Sequence, residues 1–415
     1  MIMAMIRPET EMKDSGVKYI GLIPRTWKIV QLKYCTDCLD GKRIPIDASL
    51  RKSGIYPYWG AGKIMDYVDD YIFDERLVLL GEDGAPFFDD FRPVSHLIDG
   101  KVWVNNHIHV LRTKDNVVDS YLVHALNSVD YHEYINGSIL NKLTQSNMNR
   151  IKIPLPSYRE QQAIADYLDN ICSKIDEIIA EAKASIDEYK ELKQSVIFEA
   201  VTKGLDKNVE MKQCSVNWLD EIPSTWESIR LKYLLTEINN RSETGTEQPL
   251  SVSQVMGVVP SYMIAVANPT ASYVGQKIVE PNDIVFNKLK AHLGVFFMSK
   301  YHGLVSPDYA VYRTNDKVIP KYLEYLFHTS ACISEFKKYI SGVAEGLMRL
   351  YTSDLFNIRI CLPKVDEQIK IVEYVENKVE LFDSLIAEKE SLINDLEAYK
   401  KSLIYEVVTG KRRVV

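Results

Sequence analysis

The sequence predicts an α+β protein: two similar mixed α/β domains separated by two long helices that form an antiparallel coiled coil, an internal duplication with a pseudo-twofold. Two observations predict it. The stretch from Leu155-Pro156 through Glu160-Gln161 to Val201-Thr202 recurs from Leu362-Pro363 through Glu367-Gln368 to Val408-Thr409, at a constant offset of 207. A shorter frame, Ile23-Pro24-Arg25-Thr26-Trp27 followed by Leu32-Lys33-Tyr34, recurs as Ile222-Pro223-Ser224-Thr225-Trp226 and Leu231-Lys232-Tyr233, at an offset of 199. Chance does not place so many identities in one register.

Residues 1–16 read as an N-terminal extension, of which Met1–Glu11 has no counterpart in the second half. Met12 is a candidate natural start, because the repeat begins near Val17. Then come a first domain over 17–156, a central helix over 157–207, a second domain over 208–363 and a C-terminal helix over 364–415.

In the first domain, Tyr67-Val68, Leu77-Val78-Leu79-Leu80, Val102-Trp103-Val104 and Ile108-His109-Val110-Leu111 are apolar runs between turn signals and read as strands. Glu82-Asp83-Gly84-Ala85-Pro86 is a turn, and a short helix begins near Tyr121-Leu122. The second domain repeats the plan with strands at Asp283-Ile284-Val285-Phe286, Gly294–Met298 and Tyr309–Thr314, and a short helix at Tyr322-Leu323. The blocks between the repeated frames, about 35–150 and 234–357, share architecture but little loop sequence. Like frames with unlike loops make one scaffold present two different recognition surfaces.

Ser157 and Glu160 form a capping box that starts the central helix, and Gly204 ends it. Ile164, Leu168, Ile171, Ile175, Ile178, Ala182, Tyr189, Leu192 and Val196 follow alternating three- and four-residue steps, with Ser185 filling one step. About 44 residues at ~1.5 Å each make a rod of roughly 66 Å. The second helix carries Ile371, Val375, Phe382, Leu385, Leu392, Leu396, Tyr399, Leu403 and Val407, with Lys378 and Lys389 interrupting its seam. A rod with one apolar stripe is unstable alone in water, and the simplest partner for each copy is the other.

The 415 residues are 46% hydrophobic, enough for sizeable cores, and no apolar run approaches the ~18 residues of a membrane span. The opening hydrophobic stretch lacks a basic flank and is too short for a signal peptide, so a cytoplasmic protein is expected. Six scattered cysteines suit a reducing compartment. Cys35 and Cys38 form a CxxC with no second pair at zinc-site spacing, so no metal is expected. The net charge of −7 sits mostly on the helices: residues 157–207 hold 7 basic and 11 acidic side chains, whereas residues 1–156 hold 19 and 20.

Catalytic motifs are missing. There is no Pro-Pro for an amino-methyltransferase loop and no G-x-G-x-x-G, and Gly60-Ala61-Gly62-Lys63 lacks the remainder of a P-loop. Pro307-Asp308 with Glu335-Phe336-Lys337 fits a loose nuclease pattern that the first half does not reproduce. His107 and His109 stand two apart with no third ligand near in sequence. What remains is recognition chemistry. Asn105, Asn106, His107, Lys142, Gln145 and Asn147 lie in loops of the first domain, and Asn287, Lys288, Lys290, His292 and Arg349 in loops of the second. These side-chain types read base edges or hold phosphates. Two other readings of the same residues are a coiled-coil adaptor that binds proteins at its two globular ends and a self-contained nuclease on the second domain.

Five motifs of the first half carry a resemblance: Ile23-Pro24-x-Thr26-Trp27, Gly81-Glu82-Asp83-Gly84, Val104-Asn105-Asn106-His107, the run Ser146-x-Met148-Asn149-x-Ile151-x-Ile153-Pro154-x-Pro156, and Glu160-Gln161-Gln162-x-Ile164. The second half offers Ser306-Pro307-Asp308-Tyr309 and Leu362-Pro363-x-x-x-Glu367-Gln368. In this order and duplication the chain resembles, over essentially its full length, the specificity (S) subunits of Type I restriction-modification systems. The resemblance implies a non-catalytic subunit of a defence system against foreign DNA, with two target-recognition domains that each read half of a bipartite double-stranded site. It also implies two modification subunits, with S-adenosylmethionine, for adenine methylation, and restriction subunits, with ATP and magnesium, for translocation and cleavage. No cofactor is expected on this chain. Base-contacting residues vary with target in the family, so none is carried over.

Overall fold

A computed structural model describes residues 5–89, 91–135, 141–216, 218–264, 272–340 and 349–414. The chain divides into two compact units, Met1–Ala184 with Lys389–Val415, and Ser185–Glu388.

The first unit is built on a four-stranded antiparallel sheet in the order Ser95–Ile98, Leu77–Gly81, Ile108–Thr113, Thr36–Cys38. Its strand Leu77–Gly81 is buried throughout, as a run of four consecutive apolar residues requires. The two-residue period of a strand sends alternate side chains to opposite faces. Val78, Leu80 and Leu111 pack with Tyr121 and Leu122 of the short helix Asp119–Asn127. Leu77, Leu79, Ile108 and Val110 pack instead with Phe73, Val102 and Val104, which belong to a second four-stranded sheet ordered Ile64–Val68, Ser53–Trp59, Lys101–Val104, Phe73–Asp74.

The second unit repeats the main sheet strand for strand: Phe296–Met298, Ile284–Asn287, Tyr309–Thr314, Leu235–Ile238, again all antiparallel. Phe286 and Tyr312 face Tyr322 and Phe327 of the helix Pro320–Phe327. Val285 and Val311 face Leu250, Val258, Val279 and Val305. Here two separate strand pairs, Leu250–Ser253 with Gly257–Pro260 and Lys277–Val279 with Gly303–Val305, stand where the first unit has its second sheet.

The repeated motifs hold the frame. Trp27 is buried and its indole N–H donates to Glu160 Oε1 at 3.2 Å; Trp226 donates to Glu367 Oε1 at 3.1 Å. Buried Gln161 accepts from the Val118 N–H and donates to the Asn116 and Pro156 carbonyls. Gln368 makes the same three bonds, to Ile319, Lys317 and Pro363. The Glu-Gln dipeptide of each copy therefore ties a helix start to its own domain. The repeated bonding begins upstream of Val17: the Glu11 carbonyl accepts from the Arg25 N–H at 2.9 Å, as the Glu210 carbonyl does from Ser224 at 2.7 Å.

The long helices run Tyr158–Lys203 and Val365–Val408. The capping box is made, with Ser157 N–H donating to Glu160 Oε2 at 3.1 Å and Glu160 N–H to Ser157 Oγ at 3.4 Å. Gly204 and Gly410 stop the helices at φ of 77° and 73°, and a Cβ on Gly410 would lie 2.5 Å from the Pro24 ring. Each unit contains a segment of both helices. In the first unit Lys400 bonds Asp176, and in the second Lys193 bonds Asp383, so the two segments lie side by side in each. The seam follows the expected one at Ile164, Leu168, Ile175 and Ala182 and at Ile371, Val375, Leu403 and Val407, and departs from it elsewhere. Cys172, Ile175, Ile179, Ala182 and Ile186 form the buried row, while Ile178 and Leu192 are 45% and 51% exposed. Likewise Ile393 is buried and Leu392 and Tyr399 are exposed. Adjacent apolar residues offer two stripes one residue apart, and the row facing the partner helix is the one covered. Among the described residues no helix is long and apolar enough to cross a membrane.

Candidate nucleic-acid interface

The candidate loop residues of the first unit collect at one end of its main sheet, where Leu77–Gly81 finishes and Ile108–Thr113 begins. Both Glu82 and Asp83 donate their N–H to the His107 carbonyl, at 3.0 and 3.3 Å, and the Leu143 N–H donates to the Glu82 carbonyl at 2.8 Å. These bonds bring together three loops: 82–86, 105–107 and 141–145. Asn105 is buried, and its Oδ1 accepts from the His107 N–H at 2.8 Å, so it shapes the turn. Asn106 and His107 are exposed beside it. Gln145 is exposed and donates to Cys38 Sγ at 3.2 Å. Asn147 is half-buried and donates to the Tyr134 carbonyl at 2.8 Å.

This end is dense with paired charge. Lys142 Nζ lies 3.0 Å from Asp83 Oδ2 and 3.4 Å from Glu82 Oε1. The bond to Asp83 pushes the Lys142 ammonium above its ordinary value. Arg43 lies 2.6 Å from Glu82 and 3.4 Å from Asp40. His109 is fully buried, with Nδ1 2.6 Å from Asp40 Oδ2 and Nε2 2.8 Å from the Leu143 carbonyl. Burial raises the Asp40 carboxyl, but the bonds from His109 and the Val110 N–H, with Arg43 nearby, outweigh it and hold the group below its ordinary value.

Among the described residues, Asp40, Glu82 and His109 form the one group with metal-ligand spacing, and Asp308 and Glu335 are not in it. The Arg43 guanidinium already meets both of its carboxylates, which is the chemistry of an ion-pair network. Glu335 is buried and bonded to Lys338 at 2.6 Å. His107 and His109 do not share a strand face, since His107 precedes the strand and is exposed whereas His109 lies within it and is buried. Cys35 is a core residue whose thiol burial pushes up to about 11.

The candidates of the second unit gather at the same end of the equivalent sheet. Asn287 ends the strand, and its Oδ1 accepts from the Leu289 N–H at 3.1 Å. Lys288 Nζ lies 3.6 Å from Glu237 Oε1. Lys290 and His292 are exposed on the helical turn that follows. Arg349 adjoins Leu350, whose N–H donates to the Lys288 carbonyl at 3.2 Å. Sequence reading passed over Lys277, which is 4% exposed and donates to the Tyr309 carbonyl at 2.8 Å. Burial and neighbouring Lys288 hold its ammonium below the ordinary value, against the pull of Glu237. A lysine on a strand of mixed pattern carries no sequence signal for such burial.

Comparison with known proteins finds a match to the family model described as the Type I restriction modification DNA specificity domain, twice, over residues 24–188 and 223–397. A Haemophilus influenzae protein whose name assigns it to type I restriction enzyme specificity subunits is 24% identical over 365 residues, covering 86% of this chain and 89% of its own. The MjaVIII specificity subunit of Methanocaldococcus jannaschii is 22% identical over 437 residues, covering 100% and 98%. Among solved structures, a chain of a type I R-M system aligns with a TM-score of 0.68 at 16% identity, covering 94% of this chain and 99% of its own. The HsdS subunit from Thermoanaerobacter tengcongensis aligns with a TM-score of 0.52 at 16% identity, covering 96% and 99%.

Proposed function

The chain belongs to the Type I restriction modification DNA specificity family, with two DNA recognition domains, and we propose that each domain reads one half of a bipartite double-stranded site while the long helices dock modification subunits. On this reading the chain is a non-catalytic recognition subunit. S-adenosylmethionine belongs to the modification subunits, and ATP and magnesium to the restriction subunits. The recognition segments are 17–156 and 208–363, flanked by the helical segments 157–207 and 364–415.

One observation carries the reading: the same sheet, in the same strand order, presents unlike loops at the same end in the two units. Exposed Asn106 and Gln145 are amides of the kind that bond adenine N6 and N7, and Lys288, Lys290, His292 and Arg349 suit guanine or phosphate. Buried Asn105 supports the turn that presents Asn106.

The test is a swap of residues 36–150 for the same block of a relative, in a complex with modification subunits, followed by sequencing of the methylated motif. One half-site should change and the other should persist. A swap that changes both halves, or neither, overturns the reading.

A further inference from the structure

We propose that the two recognition domains divide the work of holding DNA: the second grips phosphate through Lys288 and Arg349, whereas the first does not use Lys142, the frame equivalent of Arg349, for that purpose. The inference rests on the DNA-reading function proposed above.

The equivalence of Lys142 and Arg349 comes from the backbone. Leu143 and Leu350 are both fully buried, and each donates its N–H to the carbonyl of the residue that follows the central strand, Glu82 in one unit and Lys288 in the other. The offset of 207 then runs on unbroken: Ile151 and Ile358 both accept, through their carbonyls, from the start of the Leu-Lys-Tyr motif, at 2.8 and 3.0 Å. Lys142 and Arg349 thus stand at one frame position, with Glu82 and Lys288 opposite them at another.

Their surroundings are opposite in sign. In the first unit the loop after the strand is acidic, and Lys142 is held by Asp83 and Glu82 together. Three carboxylates, Asp40, Glu82 and Asp83, meet two permanent cations, Arg43 and Lys142. In the second unit the Glu82 position is Lys288, the buried His109 position is Ala310, and the His107 position is Asp308. Among the described residues, Glu237 and Asp308 are the acids around Lys277, against Lys288 and Arg241, with Lys290 and Arg349 in the adjoining loops. Among the described residues no carboxylate pairs with Arg349.

A cation strengthens DNA binding by neutralising a phosphate and releasing its condensed counterion. Lys142 would first have to leave two carboxylates, which would then face the phosphate. Arg349 brings a cation with no carboxylate against it among the described residues, and Lys288 has only Glu237, which it shares with Lys277. At this frame position the first domain is left with neutral donors and acceptors, and the second adds salt-dependent affinity.

The experiment measures binding of the full chain to a mixed-sequence DNA duplex by fluorescence anisotropy across a salt series, with the slope of log affinity on log salt as readout. Lys288→Gln and Arg349→Gln should each flatten the slope by about 0.9, and weaken binding alike on different sequences. Lys142→Gln should leave the slope as in the unaltered chain. If Lys288→Gln does not fold, Arg349→Gln and Lys290→Gln, at positions outside the core, carry the test. Equal flattening by Lys142→Gln and Arg349→Gln, or unchanged slopes in the second-unit variants, overturns the division of labour. An unaltered chain with no salt-dependent duplex binding at all would instead sink the DNA-reading function itself.

Discussion

Lys400 Nζ lies 2.6 Å from Asp176 Oδ1, and the duplication repeats this bond: Lys193, 207 residues earlier, stands 2.6 Å from Asp383, 207 residues after Asp176. One ion pair, written once in the ancestral repeat, therefore serves both units under exchange of the halves. Both lysines sit on the half-covered row of the seam, where an apolar residue would be expected, and both aspartates are more than half exposed.

Exposed pairs of this kind contribute about 0–1 kcal/mol each. Replacing Lys400 with Met should therefore change stability by under about 1 kcal/mol, because the seam position covers a Met side chain readily. Asp176→Lys should cost more, by setting two ammonium groups together, and Asp176→Lys with Lys400→Asp should restore stability. Chemical denaturation of the unaltered chain, Asp176→Lys, Lys400→Asp and the double variant as a double-mutant cycle measures the coupling.

Gln161→Ala should destabilise the first unit by about 2–3 kcal/mol. It removes three hydrogen bonds, two of them buried, and strands the Val118 N–H and two carbonyls. Gln368→Ala should do the same in the second unit. Urea unfolding followed by hydrogen exchange should locate each loss in its own unit.

Asp40 gives the first unit an acid limit. Its carboxyl is held below the ordinary value in the folded state, so its contribution is fully present above about pH 4, the unfolded value, and is lost as pH falls through the folded value. The stability of the Asp40→Asn variant should be lower at neutral pH and should fall less steeply in acid. Thermal melts between neutral pH and about pH 3 read the difference.

Asp187, Glu188, Glu380, Glu388 and Glu390 are exposed on the long helices, a surface that repels phosphate but suits a protein partner. Reversing several of them to Lys should weaken assembly with modification subunits several-fold, while the affinity of the recognition domains for DNA changes little. Pull-down and size-exclusion measurements check the first effect, and anisotropy the second.

The sequence by itself determined the duplication, the starts of both long helices to within a residue, the stop of the first at Gly204, the short helices at Tyr121 and Tyr322, and the two central strands of each main sheet; the second long helix stops at Val408, short of the expected 415, and the strands Thr36–Cys38, Ser95–Ile98 and Leu235–Ile238 were not foreseen. The foreseen elements follow from local rules: capping, glycine stops, apolar period and turn chemistry act within a few residues. It also led to the family, because the frame residues are repeated in order. Only the tertiary structure decided which of two adjacent apolar stripes is buried, choosing Cys172 and Ile186 over Ile178 and Leu192, since that depends on the facing helix. It decided that Asn105 supports a turn and that His109 meets Asp40, 69 residues away in sequence. It decided above all that Lys142 and Arg349 share a frame position in opposite electrostatic settings. The charge of a side chain is written in the sequence, but its availability depends on neighbours that other strands and loops bring to it.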